Sequence, residues 1–166
     1  MKHNAKRTAF LGLCVALALG LAYVEALLPP VLSAVPGIKL GLPNIVIIFL
    51  LYRRGPIAAG VVSLARILLV ALLFGNTMAL FYSLAGGLLS LLVMVVLRRL
   101  DFLSVAGVSV AGGVTHNVGQ ILMAMLLLGT AELGYYLIVL AVTGTLAGLG
   151  IGLCGALLIK RIPHRL

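Results

Sequence analysis

Six long apolar runs divide this chain, and no other feature constrains its fold as much. Cut at charges, prolines and polar turns, they cover roughly residues 8–28, 38–52, 56–75, 77–97, 103–128 and 133–159. An α-helix needs about 20 residues to cross hydrocarbon. Charged residues make up only 9% of the chain and hydrophobic ones 63%, whereas a soluble domain is about a quarter charged. The pattern predicts an all-α integral membrane protein, a compact bundle of six transmembrane helices forming a single domain over residues 1–166. Every apparent loop is short, so no separate soluble domain fits between the spans. The first run follows a basic patch, as a signal peptide would, but it continues to Leu28, which predicts an uncleaved first span.

The basic residues orient the bundle. Lys2, Lys6 and Arg7 precede span one, Arg53 and Arg54 follow span two, Arg98 and Arg99 follow span four, and Lys160, Arg161 and Arg165 follow span six. These ten of the twelve Lys and Arg fall on one side of a six-span arrangement, the cytoplasmic side by the positive-inside rule, with both termini there. The formal charge of +9 is thereby accounted for by membrane orientation rather than by nucleic acid. Cys14 and Cys154 lie inside apolar runs without a CxxC or Cys/His grouping, which predicts buried, unpaired thiols.

The two remaining basic residues are Lys39 and Arg66. Arg66, about ten residues into span three, lies near mid-membrane at 1.5 Å per residue. An arginine there costs several kcal/mol unless paired or hydrated, so it should face the bundle interior or a wet cavity. Lys39 sits near the outer end of span two, in reach of solute or snorkelling to the interface. Glu25, at the outer end of span one, is the acid closest to both. In span five, His116, Asn117 and Gln120 share one helical stripe with Gly113. Facing lipid they would be expensive, so they point inward, either as interhelical hydrogen bonds or as the polar lining of a solute site.

Span one carries small residues at four-residue intervals, Gly12, Ala16 and Gly20 on one face and Ala18, Ala22 and Ala26 on another. Such faces allow close helix approach, within this bundle or to another membrane protein. Gly144, Gly148 and Gly152 repeat the theme in span six, where internal packing is the expectation.

Catalysis finds little support. No GxSxG, HExxH or P-loop pattern occurs, no cofactor or metal motif stands out, and Asp101 is the single aspartate, which leaves no aspartate-rich magnesium diphosphate site. Lys39, Arg66, His116, Asn117 and Gln120 instead supply hydrogen-bond donors and positive charge, a set suited to carboxylate or phosphate oxygens.

Span two is the least regular of the six. Pro36-Gly37-Ile38-Lys39-Leu40-Gly41-Leu42-Pro43-Asn44 places two prolines and two glycines in it, which predicts a broken segment whose continuous helix starts near Pro43. This run resembles the motif of the Gx transporter family, often labelled heptaprenyl diphosphate synthase component I, whose members usually read Pro-Gly-x-Lys-Leu-Gly-Leu-x-Asn here. Pro43 stands where that family more often has a small residue. The likeness extends over nearly the whole chain and includes the arginine of span three and the His-Asn pair of span five.

The family in turn resembles the substrate-binding subunits of energy-coupling-factor vitamin importers, small six-helix proteins of the cell membrane, here the bacterial plasma membrane. The resemblance implies that residues 29–42 form a lid over an outward-facing site holding Lys39, Gly41 and Asn44 together with Glu25, Arg66, His116, Asn117 and Gln120. It also implies that Gly12, Ala16 and Gly20 dock a membrane coupling subunit served by ATPases on other chains, and that the solute is a small anionic or aromatic nutrient such as a flavin, quinone precursor or isoprenoid-related compound. The family label implies a different role, a non-catalytic accessory subunit of polyprenyl diphosphate synthesis.

Overall fold

The computed structural model describes residues 2–27, 41–74 and 77–162. Six α-helices follow one another: α1 (Lys2–Leu27), α2 (Asn44–Arg54), α3 (Pro56–Phe74), α4 (Thr77–Leu97), α5 (Val105–Leu128) and α6 (Leu137–Arg161), with a short 3-10 helix (Ala131–Tyr136) leading into α6. No strand occurs among the described residues. The sixth α-helix thus begins at Leu137 rather than near residue 133, because Glu132 to Tyr136 wind more tightly before the long apolar run takes over.

Five of the six helical segments are long and apolar enough to cross a membrane, and α2 is not one of them. Its 11 residues span only about 16 Å at 1.5 Å per residue, which corrects the expectation of a full second span. The reason is local. Gly41 adopts φ +76°, a conformation that glycine enters without the Cβ penalty. The Asn44, Ile45 and Val46 amides then donate three residues back, to the carbonyls of Gly41, Leu42 and Pro43. The helix stops at Gly55, φ +91°, and Pro56 opens α3 where a missing N–H costs nothing.

What α2 lacks in length it makes up in burial. Val46 to Leu51 are six consecutive buried residues, so all faces of this helix are covered, the mark of a core helix. Around it gather Cys14 and Ala18 of α1, Ala59 and Val62 of α3, Met94 of α4, Val108 of α5 and Ile151 of α6. The long helices turn other apolar residues outward, among them Leu13, Leu72, Leu92, Leu126 and Leu153, a surface suited to hydrocarbon rather than water. Cys154 is on that outer surface while Cys14 is buried; both thiols are free. Only the first of the two therefore meets the expectation of burial, since Cys154 lies on a lipid-suited face of α6.

Glycine sets the helix spacing, as expected for α6. A Cβ on Gly148 would stand 2.7 Å from Val110 Cα, and one on Gly152 2.6 Å from Ala106 Cα. Between α4 and α5, a Cβ on Gly119 would meet the Ala85 carbonyl oxygen at 2.8 Å, and Ser90 Oγ donates to the Gly112 carbonyl at 2.8 Å.

The basic residues gather at one end of the bundle. Arg54 lies 4.9 Å over the Phe10 ring and Arg98 5.2 Å over the Tyr52 ring. The Arg53 guanidinium donates to the carbonyls of Ile159 and Ile162, and that of Arg98 to the carbonyls of Leu51 and Tyr52. These arginines therefore close the carbonyl-bearing ends of α6 and α2, where positive charge also meets the helix dipole favourably. The start of α1 and the ends of α2, α4 and α6 lie together as a consequence.

Candidate functional site

At the other end, five helices enclose a cavity of about 230 Å³. Each contributes through the periodicity of its own sequence. Helix α3 presents Arg66, Val70 and Phe74 at four-residue spacing, with Ile67 and Ala71 beside them, one stripe of a 3.6-residue helix. Helix α1 supplies Ala22, Glu25 and Ala26, the junction into α2 supplies Gly41 and Asn44, α4 supplies Ala79 and Ser83, and α5 supplies His116 and Gln120.

Polar groups occupy one part of this wall. Gly41 N–H donates to Glu25 Oε1 at 2.6 Å, tying the end of α1 to the start of α2. The Glu25 carboxylate also acts Coulombically on Arg66. The Arg66 Nε is buried and has no hydrogen-bond partner among the described residues, although an unsatisfied buried donor costs about 1–3 kcal/mol. Apolar groups fill the remainder, closed at the rim by Phe74, against which Tyr23 packs edge-on at 6.1 Å and 67°.

The stripe on α5 divides. His116 and Gln120 reach the cavity, whereas Asn117 turns to α6 and donates from Nδ2 to the Leu140 carbonyl at 2.7 Å, fully within the bundle. The expectation that all three share one direction is corrected at Asn117, because at 100° per residue its neighbour position already faces the next helix. Of the expected site residues, Glu25, Gly41, Asn44, Arg66, His116 and Gln120 come together on one wall. Lys39 and most of the lid segment lie outside the described residues.

Some of the wall was not anticipated. Phe74, Val70 and Ala71 could have been found by following the Arg66 stripe along α3. Gly86 belongs to a small-residue face of α4, with Ala79, Ser83, Gly87 and Ser90, whose helical spacing predicts a tight helix contact; which groups stand opposite it is not visible in sequence. A Cβ there would stand 2.7 Å from the His116 carbonyl oxygen and 2.8 Å from Gln120 Cγ, so its bare backbone is what allows α5 to bring these two side chains to the cavity.

Gly12, Ala16 and Gly20 all lie exposed along α1, none of them on the cavity wall, and a Cβ added at Gly12 or Gly20 meets nothing within 4 Å. Ala18 and Ala22 face the bundle instead. The two small-residue faces of α1 are thus distinct, one packed and one open.

A guanidinium, an imidazole, two amides, a hydroxyl and one carboxylate thus line a partly apolar chamber within an all-helical, membrane-suited bundle. The profile of one family covers that whole arrangement. It matches residues 14–158, and the chain belongs to the heptaprenyl diphosphate synthase component I family, as the Pro36 to Asn44 motif implied. No curated protein and no solved structure matches the chain.

Proposed function

We propose that this chain is the solute-binding membrane subunit of an importer of the energy-coupling-factor type. In this reading residues 1–166 form one domain with both termini cytoplasmic, since the end carrying Arg53, Arg54, Arg98 and Arg99 faces inward under the positive-inside rule. The cavity then opens toward the outer face, under a lid carried by residues 29–42 that brings Lys39 to the solute. Gly12, Ala16 and Gly20 form the docking face for a coupling subunit, which other chains connect to ATPases. The observation that carries the reading is the Arg66 Nε, buried on the cavity wall without a hydrogen-bond partner among the described residues. A buried donor in that state calls for an acceptor, a water or a bound solute, and the place of this one on the cavity wall favours solute.

The cavity, at about 230 Å³, lies just under the usual range of ligand pockets, about 300–1,000 Å³, which favours a small solute. An anionic or aromatic nutrient of the flavin, quinone-precursor or isoprenoid-related kind presents oxygens to Arg66 and an apolar or aromatic body to Val70 and Phe74. Native mass spectrometry of the purified protein tests this. A stoichiometric co-purified small molecule is expected, released by Arg66→Ala or Lys39→Ala; full occupancy in both variants refutes the site.

The family's name favours a second reading, a non-catalytic accessory subunit within a heptaprenyl diphosphate synthase. Gene deletion separates the two. Loss of uptake of the co-purified compound with prenyl chain synthesis intact in extracts supports the importer, and the reverse pattern supports the accessory subunit.

A further inference from the structure

The basic end of the bundle holds a second cavity, of about 300 Å³, lined by Leu51, Pro56, Val95, Arg98 and Arg99. Pro56 is the first residue of α3, so the positive end of that helix's dipole lies here; Pro56 has no N–H and Ala59 N–H donates to the Gly55 carbonyl, which leaves the Ile57 and Ala58 N–H groups of the first turn. Arg98 is held in place by its bonds to the Leu51 and Tyr52 carbonyls and by the Tyr52 ring. Arg99 is exposed. No acidic residue is on this wall; Asp101, two residues on, is exposed in the turn toward α5.

The surroundings are apolar in the direction of the membrane. Helices α3 and α4 meet closely beside the cavity, where a Cβ on Gly60 would lie 3.4 Å from Leu91 Cδ2. Through the same turns both helices expose large apolar side chains, Ile57 and Val61 on α3, Leu92 and Val96 on α4. A cationic pocket continuous with such a surface fits an amphiphile better than a free anion, because the chain of the amphiphile finds hydrocarbon-like surface beside the site of its charge.

We propose that this cavity binds the phosphate headgroup of an anionic phospholipid, with Arg99 and the first turn of α3 contacting the phosphate and the acyl chains lying along α3 and α4. The site is separate from the solute cavity at the opposite end and does not depend on its assignment. Native mass spectrometry of the delipidated protein in detergent, titrated with phosphatidylglycerol, phosphatidylcholine or inorganic phosphate, tests it. One saturable phosphatidylglycerol per chain is expected, preferred over phosphatidylcholine. Arg99→Gln should weaken it by about tenfold, the loss of a charge-assisted hydrogen bond. Arg161→Gln removes a charge of the same end that is not on this wall, and should leave binding unchanged. Equal binding of the two lipids, equal weakening by the two variants, or competition by inorganic phosphate at the same concentration as the lipid would each overturn the proposal.

Discussion

Replacing Gly148 with alanine puts a number on how closely α5 and α6 must approach. The added Cβ would stand 2.7 Å from Val110 Cα and 2.8 Å from the Ser109 carbonyl oxygen, both backbone atoms that no rotamer change moves aside. Restoring a contact of about 3.5 Å parts the two helices by roughly 0.8 Å. Such overpacking costs about 1–3 kcal/mol. Gly150 is the internal control, because it lies on the same helix with nothing within 4 Å of its Cβ position, so alanine there brings only the helix-propensity gain that both variants share. At about 2–4 °C per kcal/mol for a chain of this size, Gly148→Ala should unfold roughly 2–12 °C below Gly150→Ala. The chain has no tryptophan, but Cys14 is buried and free, so labelling by a thiol-reactive dye during heating, in a Cys154→Ser background, reports unfolding. Equal midpoints for the two variants would refute this account of the α5/α6 seam.

Four further outcomes follow from the same contacts. Gly41→Ala forces a side chain into φ +76° with Asn44 Nδ2 3.1 Å from its Cβ and should cost about 1–2 kcal/mol, whereas Gly12→Ala, with nothing within 4 Å of its Cβ position, should bring only the helix-propensity gain and no loss of midpoint. Asn117→Leu should lower stability by about 0.6 kcal/mol and by no more than about 1.7, the mean and maximum for hydrogen bonds between membrane helices, without releasing bound solute; His116→Leu and Gln120→Leu should do the opposite when occupancy is read by mass spectrometry. Arg98→Ala frees the Leu51 and Tyr52 carbonyls and should destabilise by about 1.5–3 kcal/mol, seen as a lower thermal midpoint. Glu25→Gln keeps an acceptor for the Gly41 N–H but removes the charge beside Arg66, so retention of an anionic co-purified solute should rise, and a fall would identify a solute that donates to Glu25.

The parts of this architecture legible in sequence are those with a period or a punishing energetic cost. Apolar runs of 19 residues or more and the inward direction of Arg66, His116 and Gln120 follow from the expense of polar groups in hydrocarbon. The spacing of Gly144, Gly148 and Gly152 announced a close helix contact, and a contact is what they make. Where sequence reasoning stopped short, the deciding term was the identity of a neighbour. Whether Asn117 meets solute or α6 depends on which helix stands one position around the stripe, and Leu140 carries no sign of it. Arg53 and Arg98 read as topology signals and also prove to be caps on helices remote in sequence. The same limit applies to Gly86, whose small-residue face predicts a close contact while the groups opposite, the His116 carbonyl and Gln120 Cγ, carry no sign of it.

The shortness of α2 also bears on how the protein gets into a membrane at all. Eleven helical residues ending in two arginines are a poor substrate for insertion one segment at a time, since about 20 apolar residues are needed to settle alone in the bilayer. Its neighbour α3, by contrast, is amply apolar, and Gly55 alone separates the two helices. In the membrane reading, α2 is expected to enter with α3 as a hairpin and to be completed by packing against α1 and α6. Biogenesis then acts as a checkpoint: a variant that weakens the collar around Val46 to Leu51 would reach quality control with α2 stranded, so its defect would register as lost protein in the membrane before any loss of binding could be measured.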